Sequence, residues 1–278
     1  MGRTIGQRVR KKLLKRVAFP LMNRLLSDSG QHLYHYSPNV DRLFAIQGFG
    51  SETYKYFASG SFDSDTWWNA LQRLELDRGI ILDVGANTGY SATWFSTIAD
   101  RVVAFEPNPE NVGLLREHLR IRRIPNVQVI ESAVSDRSGS ATLYCKPRSG
   151  HHSLGDIGAS ETLGTIEVPC TTIDAFMDQS RIDRVALLKI DVEGFEPEVL
   201  NGAKLGLSSG SIERVMFEHN PAFYRQRGID VELPVTTLDQ LGFVCHFVTG
   251  EPFAADDPRA RLQCDLLAFA PGVPGWAD

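Results

Sequence analysis

The sequence predicts an α/β fold organised on a doubly wound, mostly parallel sheet. Three observations carry this reading. Short, largely apolar runs recur at Ile80–Val84, Val102–Glu106, Val127–Glu131, Val185–Asp191 and Ile212–Glu218. Runs of this length and composition are expected of strands covered on both faces. Helical patterns separate several of them, which implies parallel crossovers. The first run also passes directly into a turn with two glycines and then into a helix, Asp83-Val84-Gly85-Ala86-Asn87-Thr88-Gly89 followed by Tyr90–Ile98.

The remaining elements follow in order. Asn108 can cap a helix through Leu119, with Pro109 suited to its first turn. Ala141–Cys145 and Thr165–Cys170 alternate like an antiparallel pair around a Gly/Ser-rich loop, Ser149–Gly164. Thr171–Asp178 and Glu196–Asn201 read as helices, and Val235–Leu241 as a helix that Gly242 stops. Phe243–Thr249 and Cys264–Ala270 form a closing hairpin. Ahead of this α/β region (79–272) lie a basic helical extension, 1–30, and an aromatic-rich segment, 31–78, read as a helical cover with Ser64–Thr66 capping a helix through Trp67–Leu76.

Bulk properties narrow the function classes. Residues 1–30 hold eight bases against one acid, Asp28, so the head carries +7 and the rest of the chain −12 of the net −5. An acidic main domain argues against nucleic-acid binding through phosphate neutralisation. The head, with Ile5, Val9, Leu13 and Val17 on one helical face, is either a solvated extension or a peripheral membrane contact. No stretch reaches the roughly 18 apolar residues that span a bilayer, and the head lacks a secretory apolar core. A cytoplasmic protein is the expectation. Four scattered cysteines with no CxxC pair argue against a zinc ribbon or disulfide framework.

The candidate site lies at the carboxyl ends of the strands. Glycines at 85 and 89 let the backbone turn tightly and approach a ligand, and the following helix presents free N–H groups. The spacing is not GxGxxG, and the acid Asp83 before the first glycine suits a cofactor bearing an ammonium rather than a pyrophosphate. Glu106, 23 residues beyond Asp83 at the tip of the next strand, can accept hydrogen bonds from two ribose hydroxyls. Ser132 and Ala133, after the third strand, either meet an adenine or form an ordinary polar turn. Leu187–Gly194 delivers Asp191 to the same edge, with Glu193, Glu196, Glu218 and His219 nearby. Glu193 could instead brace the turn at Gly194, and Glu196 reads as a helix N-terminal acid. Clustered carboxylates require protonation, a metal or a cationic partner. His219 is either a general base or a satisfied structural histidine. His151 and His152 could face a substrate, although adjacent histidines in a loop are more often solvated.

Together these residues resemble the FkbM family of methyltransferases. The resemblance is carried by Asp83–Gly89, Phe105–Asn108, Ser132–Asp136 with Gly139, Thr172–Asp174, and Leu188–Gly194 with Glu196, Leu200 and Gly202. It spans roughly residues 79–270, and residues 1–78 have no counterpart in it. The resemblance implies a Rossmann-like class I methyltransferase fold, a seven-stranded sheet whose last strand is antiparallel. It implies S-adenosylmethionine as donor and O-methylation of a sugar, glycan or natural-product hydroxyl. Carried over, Asp83, Gly85 and Gly89 line the methionine part, Glu106 the ribose, and Ser132 and Ala133 the adenine, with Asn87 of the glycine turn also at the cofactor. Asp191 stands between cofactor and acceptor as the leading base, with Glu218 or His219 second. A magnesium ion on Asp191 and its neighbours is the less favoured alternative to a metal-free site. The rivals are a nicotinamide-dependent oxidoreductase, which predicts the absent GxGxxG, and a non-catalytic nucleoside-binding module.

Overall fold

A computed structural model describes residues 33–37, 42–46, 70–74, 76, 78–147, 149–158 and 161–276. The basic segment 1–30 and the cap at Ser64–Thr66 lie outside these residues. The chain divides into two compact units, Met1–Thr66 and Trp67–Asp278. In the first, β1 (Leu33–Ser37) and β2 (Arg42–Ile46) pair antiparallel with Leu33 opposite Ile46. The helical reading of 31–78 is corrected over these two strands. Their aromatic content favours extended backbone, and the intervening Pro38-Asn39 are turn-forming types.

The second unit contains residues 70–73 in helical conformation and then the α/β elements. β3 (Ile80–Val84) leads through the glycine turn into α1 (Tyr90–Phe95). β4 (Arg101–Phe105) leads into α2 (Pro109–Arg122), and β5 (Val127–Ile130) follows. Asn108 caps α2 as expected, its Oδ1 accepting the N–H groups of Glu110 and Asn111 at 2.9 and 3.2 Å. A separate small sheet comes next: β6 (Ala133–Val134), β7 (Gly139–Cys145) and β8 (Gly164–Thr171), in the order β6-β8-β7. The predicted antiparallel pair is β7 with β8, Ala141 opposite Val168.

α3 (Ile173–Ser180) starts at Thr172, whose hydroxyl accepts the Ala175 N–H at 3.0 Å. β9 (Leu187–Ile190), α4 (Glu196–Asn201), α5 (Lys204–Ser208) and β10 (Arg214–His219) follow. Asp174 accepts the first N–H groups of α5, from Leu205 and Gly206, at 2.8 and 2.9 Å. α6 (Pro221–Gln226), α7 (Leu233–Gln240), β11 (Val244–Phe247) and β12 (Cys264–Phe269) complete the unit.

The main sheet has seven strands in the order β11-β12-β10-β9-β3-β4-β5. β12, the last in the chain, runs antiparallel to both its neighbours, and the pairs on the other side of β10 are parallel. This is the Rossmann-like methyltransferase arrangement the sequence led us to expect. Chain order reverses between β3 and β9, so the crevice opens above the ends of these two strands. Their register sets Asp83 directly beside Lys189 and Val84 beside Ile190. Leu82, Val103, Leu188, Val215 and Leu266 are fully buried and form the centre of the core. Among the described residues no helix is long and apolar enough to cross a membrane.

Two glycines separate packing from propensity. A Cβ on Gly202 would lie 2.1 Å from the Ser135 carbonyl oxygen, whereas one on Gly113, exposed on α2, would meet nothing within 4 Å. Gly202→Ala is expected to cost about 1–3 kcal/mol by overpacking. Gly113→Ala should gain about 0.5–1 kcal/mol from helix propensity. Denaturant unfolding of both variants checks the pair, and destabilisation by Gly113→Ala would contradict the placement of α2.

Candidate active site

The glycine turn is held by its neighbour strand. Gly85 and Ala86 donate their N–H groups to the Phe105 carbonyl at 3.1 and 3.0 Å. Gly85 has φ +76°, and a Cβ there would lie 1.8 Å from the Asp191 carbonyl oxygen. Gly89 has φ +89°, and a Cβ would lie 2.1 Å from Leu115 Cδ1. Both positions therefore require glycine for conformation and for close approach. Asn87 also adopts the left-handed region, at φ +50°. Its Oδ1 is buried without a hydrogen-bond partner among the described residues.

Glu106 lies at the tip of β4, buried, with both oxygens engaged. Oε1 accepts the Asn108 N–H at 2.9 Å and the Asn111 side-chain amide at 3.2 Å, and Oε2 accepts the Asn87 N–H at 2.8 Å. A carboxylate offers about four acceptor sites, so Oε2 keeps capacity toward the cleft. Burial raises the carboxyl above its ordinary range, and the three N–H donors oppose that rise.

Lys189 sits beneath the crevice. Its ammonium lies 3.2 Å from Asp83 Oδ1 and 3.4 Å from Asp191 Oδ2, and donates to the Gly85 carbonyl at 3.1 Å. Burial alone would discharge it, but the Asp83 and Asp191 carboxylates outweigh burial and hold its pKa above the ordinary value. The Ser91 hydroxyl donates to the other Asp83 oxygen at 2.6 Å. The expectation that Asp83 contacts the ligand is corrected. Its side chain is wholly buried and absent from the cleft wall, because strand register points it at Lys189.

A cleft of about 600 Å³, counted to its open mouth, joins these elements. Gly85, Asn87, Glu106, Ser132, Ala133, Asp191 and Glu193 all line it. The Ser132 hydroxyl is committed within the chain, lying 2.8 and 3.0 Å from the carbonyls of Ala133 and Pro169.

Asp191, Glu193 and Glu218 bring one carboxylate oxygen each within 4.8 Å of one another. Such a triad can share protons or hold a divalent ion. Burial, then the Asp191 charge, pushes Glu193 up to about 10 and Glu218 up to about 8. Glu193 sits in the left-handed region at φ +53°, followed by Gly194 at φ +89°. Glu196 braces this bend from below: its Oε1 accepts the N–H groups of Val192 and Gly194 at 3.2 and 3.1 Å, and its Oε2 the Tyr224 hydroxyl at 3.0 Å.

His219 does not join the triad, which corrects its reading as a base. Successive strand residues face opposite sides, so Glu218 reaches the crevice and His219 turns into the core. The imidazole is 1% exposed, its Nε2 lies 3.2 Å from the Ala260 carbonyl, and the rings of Tyr224 and Phe253 flank it. The Ser149–Gly164 loop contributes Gly150, His152, Ser153 and Leu154 to the cleft wall, which is the alternative for His152 that the sequence left open; His151 is not among the lining residues. Asn111 and Leu143 were also invisible to the motif reading. Only the spacing of Asn111 behind the Glu106 turn hinted at a role.

Folding raises the Glu218 carboxyl, so the native state holds its proton more tightly than the unfolded chain does. The associated stability is lost as pH climbs from about 4.3, the unfolded value, through about 8. Thermal unfolding at pH 5 and pH 9 should show a larger fall for the wild type than for Glu218→Gln. Equal falls would mean that Glu218 is not buried among acids.

The sequence profile of the methyltransferase FkbM domain matches residues 83–247, more than half of the chain. The hexuronic acid methyltransferase AglP of Haloferax volcanii is 31% identical over 133 residues, which are 47% of this chain and 52% of that protein. The 2-O-methyltransferase NoeI of Sinorhizobium fredii is 25% identical over 147 residues, 47% of this chain and 60% of that protein. The chain thus matches little more than half the length of these relatives. A crystal structure of methyltransferase FkbM from Methylobacillus flagellatus superposes at TM-score 0.48 with 17% identity, covering 77% of this chain and 46% of that one. With the profile spanning both the glycine turn and the Asp191 segment, the chain belongs to the FkbM methyltransferase family.

Proposed function

We propose that the cleft holds S-adenosylmethionine and that the chain directs its methyl group to a hydroxyl oxygen of a sugar or glycan. The observation that carries this reading is the Glu106 carboxylate, fixed by three N–H donors and lining the cleft beside the glycine turn. Glu106 would accept from the ribose hydroxyls, and the unpartnered, buried Oδ1 of Asn87 would receive a further donor. Gly85 lines the cleft, whereas Gly89 is not among its lining residues and packs against Leu115, so its part is to let the turn close. Ser132, Ala133 and Leu143 would flank the base. The names of the two relatives, a hexuronic acid methyltransferase and a 2-O-methyltransferase, support a carbohydrate acceptor.

Bound S-adenosylmethionine would supply a methyl already activated on a positive sulfonium. The protein's share is therefore alignment and proton removal. Alignment can contribute about 7–11 kcal/mol and a general base about 10²–10⁴-fold. Asp191 is the best base: it lines the cleft, is part-exposed, and is oriented by Lys189 at 3.4 Å. Glu193 and Glu218, protonated at neutral pH, would donate hydrogen bonds to the acceptor's other oxygens. Their protonation lets three acids coexist without a metal in this reading.

Labelled-methyl transfer to extracted glycans and small sugars tests the proposal. Asp191→Asn should lower transfer at least about 100-fold while S-adenosylhomocysteine affinity stays within about threefold. Transfer near the wild-type rate would remove Asp191 from the chemistry. Cofactor binding with no transfer to any acceptor would favour the nucleoside-binding module.

A further inference from the structure

The loop after β7 is fastened at several points. Tyr144 and Ser153 exchange two backbone hydrogen bonds, 2.8 and 3.4 Å, and the Ser153 hydroxyl donates to the Gly155 carbonyl at 2.7 Å. The Lys146 ammonium, buried with its side chain 2% exposed, bonds Asp156 Oδ1 at 2.7 Å and Thr162 Oγ1 at 2.8 Å. A 3₁₀ turn over Ser149–His151 carries Gly150 so close to the Asn87 amide that a Cβ would lie 3.2 Å from it. Loop and glycine turn thus meet at the margin of the cleft.

His152 belongs to the wall formed in this way. The Lys146 backbone N–H donates to its Nδ1 at 2.9 Å. A backbone N–H can be met only by a lone pair, so Nδ1 is unprotonated and the neutral ring carries its proton on Nε2. Burial, the main influence on this imidazole, also favours the neutral form. No protein acceptor for Nε2–H is found among the described residues. A ring fixed at one nitrogen therefore keeps a donor at the other, and His152 lines the same cleft as Glu106, Ser132 and Leu154.

We infer that His152 is a cofactor-binding residue, donating Nε2–H to an acceptor of the nucleoside from the Ser149–Gly164 loop, with Lys146 as the residue that positions it. The inference rests on the methyltransferase reading of the cleft and extends it to a loop outside the family motifs quoted above. Nucleoside heteroatoms suit a neutral N–H donor, and a donor placed there selects adenosyl compounds without competing for the charged methionine end.

Calorimetric titration of the full chain with S-adenosylhomocysteine and with 5′-methylthioadenosine, which lacks the amino acid, tests this directly. His152→Leu should weaken both ligands by the same factor, about three- to tenfold for one neutral hydrogen bond. His152→Gln, whose amide can accept from Lys146 and donate to the cleft, should recover most of the loss. Unchanged affinity in His152→Leu overturns the inference. So does a loss confined to S-adenosylhomocysteine, which would put the contact at the amino-acid end. Equal losses in the Leu and Gln variants also overturn it, since they would reflect packing alone. Failure of the wild type to bind S-adenosylhomocysteine would overturn the cofactor reading and this inference together, whereas wild-type binding with an indifferent His152 would spare the former.

Discussion

One buried ammonium organises the centre of this molecule. Lys189 lies in the middle of the sheet, where an unpaired charge would be untenable. It is retained because parallel register sets Asp83 beside it and the next turn brings Asp191 to its other side. The same ammonium donates to the Gly85 carbonyl, so it also fixes the first residue of the glycine turn. The two segments that define the crevice, one from β3 and one from β9, are joined through this side chain. A buried pair of this kind is weak evidence for stability in itself. Its value here is positional: it aims Asp191 while Asp83 carries the balancing charge out of reach of solvent.

Around that fixed point the charges are graded. Asp83 is wholly buried and spent on Lys189 and Ser91. Glu106 is buried but retains acceptor capacity at the cleft. Asp191 is the part-exposed member, and Glu193 and Glu218 are pushed toward their neutral forms by burial and then by the Asp191 charge. The left-handed backbone at Glu193 is the sort of local strain that persists where surrounding structure enforces it. Glu196 provides that enforcement from beneath, with two N–H groups and the Tyr224 hydroxyl satisfied by one carboxyl group.

Much of this was legible in the sequence because its causes are local. The Asn108 cap and the glycine requirements at 85 and 89 follow from residue type and immediate neighbours. Glu106 and Asp191 were legible because apolar strands end at them. The misreadings have non-local causes. Asp83 and Lys189 are 106 positions apart, and only strand register makes them partners. Glu218 and His219 are adjacent in sequence, and the period of two in a strand separates them. The loop carrying His152 is rich in Gly and Ser, yet the Lys146 contacts to Asp156 and Thr162 hold it against the cleft. The hairpin of β1 and β2 was overlooked because its aromatics were weighed as cover for the sheet rather than as strand formers.

Breaking the buried pair from one side tests this account most directly. Denaturant unfolding of Lys189→Met, beside the double variant Asp83→Asn/Lys189→Met, measures what the ammonium does. The single variant leaves a carboxylate buried without its cation and should lose about 3–5 kcal/mol. The double variant should recover much of that. A single variant as stable as the wild type would mean that Lys189 does not bind the two strand ends together.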